Sequence, residues 1–468
     1  MAGAPAGDIS RKTDNWSSRF GFIMAAVGSS VGLGNFWRFP YTAGENGGGA
    51  FIVVYLICVL VLGLPILMAE YGMGRKSGHS AVEGIQSLAR SEGRSGYWGI
   101  AGWIGTFTSF FILTFYMVIS AWLLSFVMQA IGGRFSGMDA AASGANFEKT
   151  ISNTFGVLGL LAIFISANVF IVGRGVKAGL EKAASILMPL FFIMLVGVVL
   201  FAITTGDFGK TASFLFKPDW DKVSFTTFLE AIGQAFFSIG VGVGLMITYG
   251  AYLSPETNIT RSSVIIAGSD TLVAMIAGFA IFPIVFAAGL DPAGGPGLFF
   301  VTMPVAFGGI PMGNLIAVVF FSLSLFAAFT SSISLMEVSV SWLEERHGVT
   351  RLGASVGIGI GLFMIGSAYV FSLNYLDWID FLTGSIMLPL GGLMIAIFSG
   401  WVLSRNVMVS ELGDGEVMNI WRFTMRWVVP PFIGFILVFG FLDKIQDAYH
   451  VQLPGVLTGL LGPNSTGG

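Results

Sequence analysis

The 468 residues are 54% hydrophobic and only 10% charged, whereas a soluble globular protein carries about a quarter of its residues as charges. A net charge of -3 without any long basic block excludes nucleic acid as a partner, which needs a positive footprint. One cysteine, Cys58, and three dispersed histidines, His79, His347 and His450, leave no disulfide framework and no ligand-spaced structural metal site.

Stretches able to cross a hydrocarbon layer of about 30 Å as helices of around 20 residues recur along the whole chain. In order they are Phe20 to Ala43, Ala50 to Met73, Tyr97 to Ile131, Ser152 to Val172, Gly179 to Ile203, Phe225 to Tyr252, Ser262 to Gly289, Asn314 to Trp342, Ala354 to Phe371, Trp378 to Leu403, and Phe423 to Leu442. Eleven spans follow, and the lipid bilayer is the solvent. Residues 1–18 read as a cytoplasmic tail, 19–442 as one transmembrane unit, and 443–468, interrupted by Pro454 and Pro463, as an extracellular tail. With alternate loops assigned to alternate sides, sixteen Lys and Arg fall on the N-terminal side and six on the other. The excess of basic residues on cytoplasmic loops then puts the N-terminus in the cytoplasm.

Two segments break the helical pattern, one in the first span and one in the sixth. Gly28-Ser29-Ser30-Val31-Gly32-Leu33-Gly34-Asn35 and Ser238-Ile239-Gly240-Val241-Gly242-Val243-Gly244 concentrate glycine, each of which weakens a helix interior by about 1 kcal/mol relative to alanine. Their five-helix separation suggests a two-fold internal repeat. Irregular backbone at membrane depth is tolerated only where protein or a water-filled cavity satisfies its polar groups, so matched breaks point to a central binding site. The other reading is a stripe of small residues for close helix packing. Gly28 to Gly32 also fits G-x-S-x-G, but that nucleophile elbow needs a strand before it and a helix after, and no histidine lies in a transmembrane core to act as base. An enzyme is excluded on that ground. A channel would need a continuous pore with rings of charge or carbonyls.

The string GSSVGLGNFWRFPY, Gly28 to Tyr41, resembles the first-helix signature of the neurotransmitter:sodium symporter family. The similarity continues through Glu45 to Phe51, Glu70 with Gly74-Arg75, Gln234 to Ser238, Thr330-Ser331-Ser332, and Asp380-Phe381. It implies an all-α membrane protein of about 11 transmembrane helices with the leucine-transporter-like 5+5 inverted repeat, broken in helices 1 and 6. The activity implied is sodium-driven amino-acid symport by alternating access in a bacterial inner (plasma) membrane, with no obligatory protein partner.

By the same resemblance, one of two Na+ ions is held by the Ser30 carbonyl, the Asn35 side chain, the Ser238 carbonyl and hydroxyl, Asp270, and the substrate carboxylate. The second takes the carbonyls of Gly28, Val31 and Ala327 and the hydroxyls of Thr330 and Ser331. Hard cations want oxygen ligands, although hydroxyls such as those of Thr330-Ser331-Ser332 also bond back to their own helix. The implied substrate pocket comprises Ser29, Ser30, Gly32, Leu33, Gly34, Ile112, Tyr116, Phe237, Ser238, Gly240, Val243, Ser331 and Leu335. Tyr116 would bond the substrate carboxylate and Phe237 would close over it. Gly32 stands where monoamine carriers of the family have an aspartate, so an amino acid is the expected cargo. The leucine transporter has a serine at the position of Gly240 and a phenylalanine at that of Val243, so a roomier pocket for aliphatic and aromatic L-amino acids is expected. Asp270 supplies a fixed negative charge where chloride-dependent relatives have a neutral residue, which implies chloride independence.

Two gates are expected. Arg38 and Asp380 form the outer one, since ionisable residues in apolar helices are costly unless paired or facing water. The inner one sets Trp16 and a preceding cation against Glu345, with Tyr252 nearby. Thr13 occupies the position where the family has its arginine, so Lys12 or Arg11 must substitute. Gly179 and Pro189 enclose nine residues of the fifth span, a spacing that resembles the family's Gly-X9-Pro element, where proline and glycine weaken the helix and allow it to unwind.

Overall fold

The computed structural model describes residues 15–293, 295 and 297–449, with side chains described through residue 440. Lys12, Arg11, and most of the two expected tails lie outside the described residues. Helix α1 (Arg19–Ser30) is followed after a break by α2 (Gly34–Glu45), the two inclined by 47°. Four uninterrupted spans come next, α3 (Gly49–Ser77), α5 (Gly96–Ile131), α7 (Thr154–Val172) and α8 (Val176–Thr205). The second broken pair is α10 (Phe225–Ile239) and α11 (Leu245–Gly250). It is followed by α12 (Ile259–Ala287), α14 (Gly313–His347), α15 (Arg351–Phe371) and α16 (Leu373–Val402), and then by α18 (Glu416–Gly440). Nine of these described helices are long and apolar enough to span a membrane by themselves, and the bent pair α1 and α2 makes a tenth. The glycine-interrupted α10 and α11 complete eleven. Each unit of five opens with its broken span, which is the 5+5 arrangement.

Between the spans lie short helices that hydropathy did not reveal: α4 (Ala81–Ser91), α6 (Ala140–Ser152), α9 (Phe208–Phe216), α13 (Leu298–Gly308) and α17 (Arg405–Leu412). Local chemistry starts them. Asp139 caps α6 by accepting from Ala142 N, and Asp207 caps α9 through Lys210 N, each satisfying a backbone donor that has no partner within the helix.

The breaks have different local causes. Helix α1 stops because Val31 turns extended, with φ -73° and ψ 105°. Helix α10 stops because Gly240, Gly242 and Gly244 take φ of 76°, 81° and 71°, a left-handed region that glycine enters without steric cost. The unwound segment is also pressed against α16: a Cβ on Gly242 would stand 2.6 Å from the Leu388 carbonyl oxygen and 2.9 Å from Gly392 N. Its freed amide is satisfied, because Gly242 N donates to Glu70 Oε1 of α3 at 2.7 Å. Helix α5 packs along α14 and α7 along α15, while α1 lies against α8, α12 and α14. The broken helices are thereby enclosed by intact ones, which is the condition for irregular backbone inside a bilayer.

Candidate binding site between the broken helices

At the break of α1 and α2, the Asn35 amide donates to Asp270 Oδ1 of α12 at 2.8 Å and to the Ser238 hydroxyl at 3.2 Å. Ser238 Oγ, one residue before the end of α10, donates to Asp270 Oδ2 at 2.8 Å. Asn35 Oδ1 in turn accepts from Gly32 N in the unwound stretch at 2.9 Å, and the Ser30 hydroxyl donates to the Ile239 carbonyl at 3.0 Å. All four side chains are buried. Among the described residues no Lys or Arg bonds to Asp270; its partners are neutral. A buried carboxylate without a cationic partner is costly, and a cluster of carboxylate, amide and hydroxyl oxygens is the donor set a hard cation takes. Sodium fits here as cargo.

On the other flank of the α1 break, the Ser331 hydroxyl of α14 faces the carbonyls of Gly28 and Val31 at 3.4 and 3.3 Å. Thr330 Oγ1 bonds back to the Phe326 and Ala327 carbonyls, each at 3.1 Å. Gly28, Val31, Ala327, Thr330 and Ser331 therefore form one patch of neutral oxygens, in which the back-bonding of Thr330 is present as well.

The cavity between these clusters is lined by Ser29, Ser30, Gly32, Leu33, Gly34, Ile112, Tyr116, Phe237, Gly240, Val243, Ser331 and Leu335, all of them residues expected from the family resemblance. Ser238 is turned to Asp270 and does not contribute to the wall. Leu245 and Leu388 also contribute; neither was expected, because each is one leucine among many in an apolar helix, with no pattern in the sequence to mark it. The space open to the centre of a water molecule is about 40 Å³, room for at least one or two waters. The Tyr116 hydroxyl accepts from Leu33 N at 3.2 Å, so it already addresses the unwound backbone.

Phe237 closes the cavity on one side, and the Arg38 guanidinium carbon lies 5.3 Å from its ring centroid. Arg38 belongs to a separate cavity of about 140 Å³ that it shares with Glu230, Phe381 and Ser385. Arg38 and Asp380 form no ion pair within 4.0 Å among the described residues. At the opposite end Trp16 is fixed by backbone and ring contacts. Its N–H donates to the Tyr252 carbonyl and its indole N–H to the Tyr249 carbonyl, both at 3.2 Å, and its ring meets Tyr249 and Tyr252 edge-on. Glu345 accepts from Ser80 N at 2.8 Å and bonds His79 Nδ1. Tyr252 donates to the fully buried Glu337 at 2.6 Å, and Arg351 bonds the other oxygen of Glu337 at 2.5 Å and Glu344 at 2.9 Å. Glu337, Arg351 and His79 were absent from the sequence-based gate. An ionisable residue inside an apolar span is the signal that could have found Glu337.

A cavity without charged walls, set where two helices break side by side and flanked by two oxygen clusters, is the arrangement of a secondary carrier. The sequence profile of the sodium:neurotransmitter symporter family matches residues 13–153 and 144–456. An uncharacterized sodium-dependent transporter of Bacillus subtilis, YhdH, is 33% identical over 92% of this chain and 97% of its own length. The sodium-dependent dopamine transporter of Bos taurus is 26% identical over 91% of this chain and 68% of its own. A crystal structure of MhsT in complex with L-phenylalanine superposes with a TM-score of 0.84 at 38% identity, covering 91% of this chain and 99% of that one. The chain belongs to the sodium:neurotransmitter symporter family: it is a multi-pass membrane protein and a sodium-coupled symporter of small molecules.

Proposed function

We propose that the protein imports hydrophobic L-amino acids, aliphatic and aromatic, together with two sodium ions and without chloride, across a bacterial plasma membrane, with its N-terminus in the cytoplasm and residues 19–442 acting as one transport unit. The observation that carries this reading is the cavity wall. It combines the backbone of Gly32 to Gly34, where the break gives way to α2, and the Tyr116 hydroxyl on one side with Ile112, Phe237, Val243, Leu335 and Leu388 on the other, and it includes no charged side chain. The first side suits a carboxylate, the second an apolar side chain. A charged cargo would lose several kcal/mol on burial without a partner, whereas one methylene alters discrimination by only about 1 to 3 kcal/mol, so a range of neutral hydrophobic substrates is expected.

In this reading the first sodium sits among Asn35, Ser238, Asp270 and the Ser30 carbonyl, and the substrate carboxylate completes its shell. The second sits among Gly28, Val31, Ala327, Thr330 and Ser331 and ties α1 to α14. Arg38 and Asp380 come together over Phe237 when the outer path closes. Trp16, Tyr252 and Glu345 close the inner one, with Lys12 or Arg11 as the N-terminal cation. Two charges crossing 100 mV with tenfold gradients supply on the order of 7 kcal/mol. Uptake of a panel of labelled amino acids into proteoliposomes, with and without sodium, tests the proposal. Saturable, sodium-dependent uptake of leucine-sized and aromatic amino acids with counterflow is expected; a preference for glycine or a charged amino acid overturns it.

A further inference from the structure

We infer that Glu181 is a positioning residue of the transport cycle, a latch through which the winding of α8 holds the inner end of α1 in place. The role in transport rests on the symport reading above; the latch itself rests on geometry. Glu181 lies in the first turns of α8, inside the Gly179 to Pro189 element, and is 5% exposed. Its carboxylate reaches back 164 residues to the segment entering α1, accepting from Ser17 N at 2.8 Å, from Ser18 Oγ at 3.3 Å and from the Ser17 hydroxyl. Ser18 is the residue that caps α1, so the anion sits where the partial positive charge of the helix N-terminus favours it.

Two further contacts make this a fitted interaction. A Cβ on Gly21 would stand 1.8 Å from Glu181 Oε1, so the first turn of α1 accommodates the carboxylate only because residue 21 has no side chain. At the other end of the same stretch, a Cβ on Gly28 would stand 3.0 Å from Met188 Sδ. The segment from Glu181 to Met188 therefore lies along α1 from its first turn to its break, where Gly28 and Val31 present their carbonyls to Ser331. That segment is also the weak part of α8. It begins in the wide turns of Val176–Glu181, and Pro189 inside the helix removes one of its backbone bonds. Unwinding it carries Glu181 away from Ser17 and Ser18, so release of the α1 N-terminus and opening beside Gly28 become one event.

The test is hydrogen exchange of the full-length protein in lipid nanodiscs, with and without sodium, for the wild type, Glu181→Ala and Gly21→Ala. Sodium withdrawal should speed exchange at 19–27 and 180–188 together in the wild type. In sodium, both variants should exchange at 19–27 roughly tenfold faster or more, the scale of losing charge-assisted hydrogen bonds. Gly21→Ala is the decisive variant: alanine favours helix over glycine, so a purely local role for Gly21 predicts slower exchange, whereas displacement of Glu181 predicts faster exchange. It also decides the matter where Glu181→Ala fails to fold. Wild-type rates at 19–27 in Gly21→Ala overturn the latch. Sodium-dependent amino-acid binding on the same wild-type sample is read separately; its absence removes the symport reading and leaves the exchange comparison in sodium standing.

Discussion

The Asn35 amide donates to the Asp270 carboxylate at 2.8 Å, joining the start of α2 to the middle of α12 at the point where α1 has just ended. With Ser238 from α10 it brings two oxygen-bearing side chains from two helices onto one buried carboxylate of a third. Asn35→Ala or Asp270→Ala should lower sodium-dependent amino-acid affinity at least tenfold while the protein remains folded by circular dichroism, because an ion shared with the substrate carboxylate loses a ligand. Scintillation proximity binding across a sodium titration reads the effect. Unchanged affinity and sodium dependence in Asn35→Ala would show that the first ion lies elsewhere.

Transport should proceed at the same rate in chloride and in gluconate. Asp270 places a covalently held carboxylate beside the expected ion, and Ala274, one turn further along α12, is buried and apolar, so in this reading the site needs no mobile anion. A strict chloride requirement in proteoliposomes sinks this expectation.

Val243 forms part of the cavity wall and is buried. Val243→Phe should reduce affinity for tryptophan and phenylalanine roughly tenfold or more and change that for alanine or valine by less than about threefold, since overpacking penalises the largest ligands most. Competition binding with the four amino acids provides the measurement, and a uniform loss across all four would mean that Val243 does not bound the side-chain pocket.

Gly242→Ala should be among the most damaging single-methyl additions in the chain. The new Cβ would meet backbone atoms, Leu388 O at 2.6 Å and Gly392 N at 2.9 Å, at a residue whose φ is +81°. Neither obstacle can yield as a side chain would, and the left-handed conformation adds its own strain. Gly268→Ala, where nothing lies within 4 Å, should be neutral. Thermal unfolding in detergent should place Gly242→Ala well below the wild type and Gly268→Ala beside it; equal stability of the two would show that the unwound segment is not held as described.

Which parts of the chain cross the membrane was legible in the sequence, because a bilayer demands about 20 consecutive apolar residues and the two glycine-rich interruptions stand out against that background. The local breaks at Gly28 to Gly34 and Gly240 to Gly244 needed only backbone chemistry, and the signature around Gly28 to Tyr41 pointed to Asn35, Tyr116, Asp270 and Ser331. Short helices such as α4 and α9 escaped because they are too brief and too mixed to register as spans. Tertiary structure alone decided which residues of uniformly apolar helices face inward, since the rotation of a membrane helix is set by packing against its neighbours; that is how Leu245 and Leu388 reach the cavity. It also decided every pairing across distant helices: Glu181 against Ser17, His79 against Glu345, Glu337 between Tyr252 and Arg351, and Arg38 over Phe237. These pairings depend on how the spans are rotated and staggered, and hydropathy along a single chain carries no record of either.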